Sequence, residues 1–73
     1  MSKGWVIKSS IGVIYWGSFS GDTRYECICN FLHDEGYDIY TYAPRKIVTT
    51  WRFYYEIDGL TCVKATVQEG WDE

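Results

Sequence analysis

The segment TRYECICNFLHDEG, residues 23–36, carries the clearest structural signal in the sequence. Thr23 is followed three residues later by Glu26, the capping-box spacing that begins helices, and Gly36 stands where a glycine commonly ends one. Between them, apolar side chains recur at helical spacing, namely Cys27, Ile28, Phe31 and Leu32. The segment therefore predicts an amphipathic helix over Thr23 to Glu35, with one stripe facing a core.

Short β-strands are predicted on the N-terminal side of this helix. Residues 4–8 and 11–16 contain many β-branched and aromatic side chains and are separated by two serines, so we expect a hairpin. The glycine- and serine-containing run 17–22 has the composition of a loop. After the helix, residues 38–42 alternate in β fashion, but Pro44 follows closely and favours an edge or loop position.

The segment from Ile47 to Ile57 allows two interpretations. Its alternating apolar residues, followed by an Asp-Gly pair, indicate a hairpin that leads into a strand over residues 60–67, and β propensity favours this choice. The register counts against it, because Lys64 would share a sheet face with the aromatic side chains. The alternative is a short helix that begins near Thr50 and ends at Gly59.

These elements predict a small α+β fold. We expect a small antiparallel sheet of three to four strands packed against one main helix at about 23–35, with a second short helix at about 50–58 as the alternative for that segment. The 73 residues suffice for one domain, spanning 1–73. Four Trp, seven Tyr and three Phe supply bulky core side chains, and those left outside the core would serve as partner anchors.

Charge and cysteine content restrict the class of protein. The net charge is −3 and the basic residues are scattered, whereas nucleic-acid-binding domains present a basic stripe. An odd number of cysteines, three, fits a reducing compartment better than a disulfide scaffold. No apolar run approaches the roughly 20 residues that span a bilayer, and the N-terminus does not resemble a signal peptide. We expect a cytoplasmic monomer that contacts neither membrane nor a specific nucleic-acid sequence.

Motifs for catalysis and metal binding are incomplete. The run 17–21 places Phe19 where a nucleophile elbow needs a serine. A zinc site would need converging ligands, but Cys27 points away from Cys29 and His33, which share the outer helix face. We therefore predict no catalytic residue, no metal and no cofactor, and a protein that is not an enzyme.

Two patches are candidates for protein binding. The first hairpin supplies more apolar surface than one sheet face needs, and residues 37–42 interleave tyrosines with a carboxylate. Either patch would fold into the core or meet a partner, with pairing of a partner strand to a free sheet edge as one binding mode.

Scattered positions resemble short proteins that are common in bacteriophage genomes. They are Trp5-Val6-Ile7-Lys8, Tyr15-Trp16, Thr23-Arg24-x-Glu26 and Trp51…Gly59-x-x-Cys62-Val63-Lys64. In such proteins a tryptophan-led helix ends in glycine and runs into a Cys-Val-basic strand, so the resemblance implies that the segment after Trp51 is helical. Residues 37–49 depart from the pattern as a long insert, which makes them a candidate for a specialised surface.

The chain is also similar to small phage host-takeover regulators that bind bacterial RNA polymerase. This resemblance implies a protein that blocks σ-dependent initiation and promotes antitermination in the host cytoplasm. We would then place the interface on Trp5, Ile7, Lys8, Ile11, Asp38, Tyr40 and Tyr42. Two alternatives stay open: an inhibitor of a host defence complex of the anti-CRISPR kind, acting by protein–protein binding, and a DNA-binding regulator, for which the basic recognition face is missing.

Overall fold

Two helices pack on one face of a three-stranded antiparallel sheet. The computed structural model describes residues 2–67. In chain order the elements are β1 (Ser2–Lys8), β2 (Ile14–Ser20), α1 (Arg24–Asp34), a 3₁₀ turn (Ile39–Thr41), α2 (Pro44–Phe53), a π-helical turn (Tyr54–Asp58) and β3 (Thr61–Val67). The strand order is β2-β1-β3, so the first strand of the chain is the central one. The predicted α+β class, with an antiparallel sheet on one main helix, is confirmed.

The pairing of β1 with β3 is regular, whereas its pairing with β2 is interrupted. From Ser2↔Val67 to Lys8↔Thr61 every residue of β1 has a partner in β3. On the other side Trp5 pairs with Ser20 and Ile7 with Tyr15, so four residues of β2 (16–19) stand opposite a single residue of β1. This irregularity is a special bulge, larger than the usual two residues opposite one, which bends the strand and leaves local backbone groups without ladder partners.

Ser18 supplies the partner that the bulge removes. Its hydroxyl accepts a hydrogen bond from the Ile7 N–H at 3.0 Å and donates one to the Tyr15 carbonyl at 2.6 Å. Ser18 is buried, so water has no access to replace these bonds. The run 17–22, predicted as a loop, therefore continues as strand through Ser20, because a side chain stands in for the missing backbone partner.

Helix α1 matches its prediction closely. Thr23 is the N-cap, and its hydroxyl accepts a hydrogen bond from the Glu26 N–H at 3.1 Å. The Glu26 carboxylate accepts from the Ser20 hydroxyl at 2.9 Å, which ties the helix start to the end of β2. Beyond the last turn Gly36 has a φ of 100°, a conformation that favours glycine.

The hairpin interpretation of residues 47–57 is wrong, and the helical alternative is confirmed and extended. Pro44 occupies the first turn of α2, where its missing N–H costs nothing. Ile47 and Trp51 lie four residues apart on the buried side. Their burial outweighs the β propensity of the segment, because a helix places both side chains in the core. The β pattern of 38–42 is likewise replaced by the 3₁₀ turn.

The core lies between the sheet and the two helices, with an aromatic ring at its centre. Phe31 of α1 meets the rings of Tyr15, Trp51 and Tyr54 edge to face, at centroid distances of 5.6, 5.8 and 5.2 Å. The buried cluster consists of Ile7, Cys27, Phe31, Leu32, Ile47, Trp51, Leu60 and Cys62. Tyr15 and Tyr54 are only partly covered, so this ring cluster reaches the surface on one side.

Candidate functional site

The predicted interface residues of the first hairpin divide between core and surface. Ile11 is 85% exposed at the hairpin tip, and Lys8 is also exposed. Trp5 is half-buried and packs against the core cluster. Ile7 is 0% exposed, so its side chain is not available to a partner in the folded protein. The prediction of Ile7 as an interface residue is corrected for this reason: it faces the helices, not the solvent.

The predicted interface residues after α1 are mostly at the surface. Asp38 is exposed, and Tyr40 is 82% exposed with its ring 5.8 Å from that of His33. Tyr42 is half-buried, and the ammonium of Lys46 lies 4.1 Å from its ring centroid. Tyr40 therefore has the exposure that an anchor residue needs, whereas Tyr42 already has an intramolecular partner.

Three neighbouring tyrosines connect this region with the hairpin tip. They are Tyr37, Tyr42 and Tyr54, and we call them the tyrosine cluster. The hydroxyls of Tyr37 and Tyr54 are 3.2 Å apart, and the Tyr37 ring lies 6.3 Å from that of Tyr42. Gly59, after the π-helical turn, sits so close to the hairpin that an added Cβ would be 3.5 Å from the Cβ of Ser10. The two predicted patches therefore adjoin a common region, which is the turn between α2 and β3.

A cavity of about 260 Å³ opens in this region, and we call it the Tyr54 pocket. It lies between the hairpin tip, the end of α1 and the turn after α2. Its walls are aromatic and aliphatic, and its charged residues are both acidic. The lining residues are Ser9, Ser10, Ile11, Tyr15, Phe31, Glu35, Tyr54, Asp58 and Leu60.

Local backbone structure determines where the two carboxylate residues of the pocket lie. Glu35 caps the C-terminal end of α1, where its N–H bonds to the Phe31 and Leu32 carbonyls. Asp58 is the last residue of the π-helical turn, which Gly59 closes at a φ of 69°. Such wide turns occur often at functional sites, since they turn side chains away from the regular helix face.

The electrostatics of the pocket favour a cation. The C-terminal end of a helix carries partial negative charge, which adds to the Glu35 carboxylate. The Tyr37 hydrogen bond and burial, with smaller effects of the Glu35 and Asp58 charges, raise the pKa of Tyr54 to about 12. Aromatic faces also attract cations. The pocket therefore combines aromatic rings, two carboxylates and a helix C-terminus. These features together are suited to bind an ammonium or guanidinium group.

Most of this pocket was missed by reasoning from the sequence. The sequence predicts Glu35 as the last residue of the first helix and Asp58 as part of an Asp-Gly turn, and it assigns Tyr54 no role. The available signal was the spacing of Glu35, Tyr54 and Asp58 around two glycines that end helices, Gly36 and Gly59, but it depends on accepting the second helix.

A second, larger hollow lies at the opposite end of the sheet. It measures about 520 Å³ and is lined by Lys3, Gly4, Trp5, Gly21, Lys64, Ala65 and Thr66. The Lys64 ammonium lies 5.6 Å from the Trp5 ring centroid, so the Trp5 face of this hollow already has a cation beside it. We regard the smaller Tyr54 pocket as the better site, because its rings and charges are complementary to a ligand rather than to each other.

The described part of the chain shows neither a cluster of metal ligands nor a membrane-spanning helix. Across residues 2–67, His, Cys, Asp and Glu side chains do not gather in groups of three or more that could hold a metal ion. Within the same range, neither helix has the length and apolar character needed to cross a membrane. Comparison of the chain with protein-family models, curated protein sequences and solved structures found no match.

Proposed function

We propose that this protein acts by binding a partner protein rather than by catalysis, and that the Tyr54 pocket receives a lysine or arginine side chain of that partner. The observation that carries the proposal is the pairing of aromatic walls with Glu35 and Asp58 in one pocket. A guanidinium or ammonium group satisfies both features, because it forms charge-assisted hydrogen bonds with carboxylates and stacks on rings.

The surroundings of the pocket suit a protein partner better than a small cation. Ile11, which lines the pocket, is 85% exposed, and Ile57, which precedes Asp58 in the sequence, is 68% exposed. Tyr40, which lies in the sequence between Tyr37 and Tyr42 of the tyrosine cluster, adds an 82% exposed ring. Apolar side chains around a charged pocket are the arrangement that excludes water from a central anchor in protein interfaces.

For the identity of the partner we propose bacterial RNA polymerase, with interference in σ-dependent initiation and a role in antitermination. This choice rests on the resemblance of the sequence to phage proteins that bind the polymerase. The mechanism would be competitive: a basic anchor on the polymerase enters the Tyr54 pocket, and the bound protein then covers a surface that σ or promoter DNA needs. The strength of the block would follow occupancy by mass action.

The test measures binding of the purified protein to RNA polymerase core enzyme by biolayer interferometry, together with transcription from a σ-dependent promoter. Asp58→Asn removes one pocket carboxylate, and Asp22→Asn removes one exposed carboxylate elsewhere as a matched control. We expect Asp58→Asn to weaken binding at least tenfold, about 1.4 kcal/mol, and Asp22→Asn to change it less than twofold. Added salt should weaken the wild type more than Asp58→Asn.

Two results would separate the parts of this proposal. Binding to the polymerase that is equally sensitive to both substitutions would reject the Tyr54 pocket as the site. If the polymerase is not bound at all, RNA polymerase is rejected as the partner, and a basic peptide library screened on the wild type and on Asp58→Asn then tests the pocket by itself.

A further inference from the structure

A third hollow, between the start of α1 and the end of α2, is lined by two arginines. Its volume is about 270 Å³, and we call it the arginine hollow. The described residues that line it are Arg24, Val48, Trp51, Arg52 and Tyr55, and none of these is acidic. The chain has three arginines and a net charge of −3, so two of the three arginines of an acidic protein line one small hollow.

Helical spacing and one aromatic contact bring these residues together. Val48, Arg52 and Tyr55 are four and three residues apart, so they lie on one side of α2 and of the π-helical turn that continues it. Trp51 is 8% exposed and forms the floor of the hollow, and its ring meets that of Phe31 edge to face at 5.8 Å. This contact holds α2 against α1, whose first residue supplies the other arginine.

Helix electrostatics account for only one of the two arginines. Arg52 lies in the last turn of α2, where the partial negative charge of the helix end favours a cation. Arg24 is the first residue of α1, where the partial positive charge of the helix start disfavours one. Both side chains are exposed, and like charges that line one hollow repel each other. A bound anion would offset both unfavourable effects, because the two guanidinium groups and the helix start all attract it.

We propose that the arginine hollow binds a small phosphate monoester that carries a planar ring, the chemical class of nucleoside monophosphates and aryl phosphates. A phosphate monoester carries about −1.5 to −2 charges at pH 7, so it balances both arginines, whereas a carboxylate balances one. Each guanidinium can also donate two parallel hydrogen bonds to phosphate oxygens. The planar ring of the ligand stacks on Tyr55, which is 53% exposed, and packs against Val48, which is 46% exposed.

The size and position of the arginine hollow distinguish it from the Tyr54 pocket. Its volume of about 270 Å³ is close to the lower end of the roughly 300–1,000 Å³ of small-molecule sites. Tyr55 lines the arginine hollow, whereas its neighbour Tyr54 lines the acidic pocket. The turn after α2 therefore contributes to two sites that select ligands of opposite charge, and phosphate binding does not depend on what occupies the Tyr54 pocket.

The test titrates the purified protein with adenosine monophosphate and, separately, with phenyl phosphate at about pH 7.5, where both phosphates are dianionic. Binding is followed by isothermal titration calorimetry and by NMR of the backbone amides. We expect saturable binding of at least one probe with a Kd of about 1 mM or lower, and the largest shifts at the amides of Arg24, Arg52 and Tyr55. Adenosine and inorganic phosphate, which each lack one part of a probe, should bind at least tenfold more weakly. The tighter of the two probes identifies the ring as a nucleobase or an aryl group.

Substitutions of the arginines assign the binding to the hollow. Arg24→Gln and Arg52→Gln should each weaken binding of the tighter probe at least tenfold. Arg45→Gln removes the same charge from an exposed position of α2 outside the hollow, so it should change binding less than twofold. Arg52→Lys keeps the charge but lacks the planar fork, and it should weaken binding at least threefold.

Three results would overturn the proposal. They are the absence of saturable binding of both probes in the millimolar range, equal losses in Arg45→Gln and Arg52→Gln, and adenosine that binds as tightly as adenosine monophosphate. Equal losses would mean that overall charge alone attracts the probe, and tight binding of adenosine would mean that the phosphate is not recognised. The substituted side chains are all exposed, so we expect the variants to keep the fold, which circular dichroism checks.

Discussion

Replacing Ser18 by alanine tests the role of the β2 bulge in stability. The substitution removes the hydroxyl that accepts the Ile7 N–H at 3.0 Å in the buried interior. An N–H left without a partner inside a protein costs about 1–3 kcal/mol, and the Tyr15 carbonyl also loses its donor. We therefore expect Ser18→Ala to lower the free energy of unfolding by about 2 kcal/mol, and the thermal midpoint by roughly 10 °C.

The chain offers a matched control for this prediction. Ser9 accepts a hydrogen bond from the Val13 N–H, also at 3.0 Å, but this bond is exposed to solvent. Water can replace the lost hydroxyl in Ser9→Ala, so its free energy of unfolding should change by less than about 0.5 kcal/mol. Both variants are measured by urea unfolding, and protection of the Ile7 amide from hydrogen exchange reports directly on the bulge. Equal costs for Ser18→Ala and Ser9→Ala would refute the reasoning.

Three further substitutions test other contacts. Gly4→Ala would place a Cβ 2.1 Å from the backbone oxygen of Ser20, so we expect a loss of at least about 2 kcal/mol in urea unfolding, against little change for Gly21→Ala, whose Cβ would meet its nearest atom at 3.9 Å. Thr23→Ala removes the N-cap of α1 and should cost about 1 kcal/mol, which a Thr23→Ser variant should largely restore in the same assay. The pKa of Tyr54 is raised from 10.0 to about 12, so the folded protein holds that proton longer than the unfolded chain and loses stability as the pH rises from 10 to 12; in Tyr54→Phe the urea midpoint should fall less steeply over that range, and an identical slope would exclude Tyr54 as the cause.

Local signals in the sequence were sufficient for α1 and for the strand that follows Gly59. A capping threonine, an apolar stripe and a terminal glycine each act on nearby residues of the same helix, so they need no knowledge of the remaining fold. The predicted strand 60–67 is present as Thr61–Val67, and Gly59 ends the preceding helical segment as the helical alternative expected.

The second helix could not be decided from local propensity. Trp51 and its aromatic neighbours favour strands in isolation, but in the folded protein Ile47 and Trp51 pack with Phe31 of α1. A strand would put Phe53 on the same face as Trp51, whereas the helix leaves Phe53 exposed. This choice is made by tertiary packing, which the alternation of residue types does not encode. The Phe31 ring, in contact with Trp51 and Tyr54, is the physical reason.

The candidate site was out of reach for a related reason. Ile11 and Tyr40 were predicted at an interface and are exposed, while Ile7 was assigned to the same surface and is buried. Alternation along β1 separates two faces, but it does not say which face the helices cover. The Tyr54 pocket is formed by three separate segments of the chain. The role of its acidic residues can therefore be recognised only once the fold is known.

The central position of β1 has a consequence for how the chain is made. This strand leaves the ribosome before every other element described, yet its regular partner β3 is the last of them to emerge. Until then one edge of β1 stays open, with the apolar side chains of Val6 and Ile7 lacking their final neighbours. Contacts between such distant segments form slowly and only once both exist. The sheet can therefore be completed only after β3 has been synthesised. A nascent chain stalled within α2 would expose the unpaired edge of β1, which could pair with another protein or bind a chaperone.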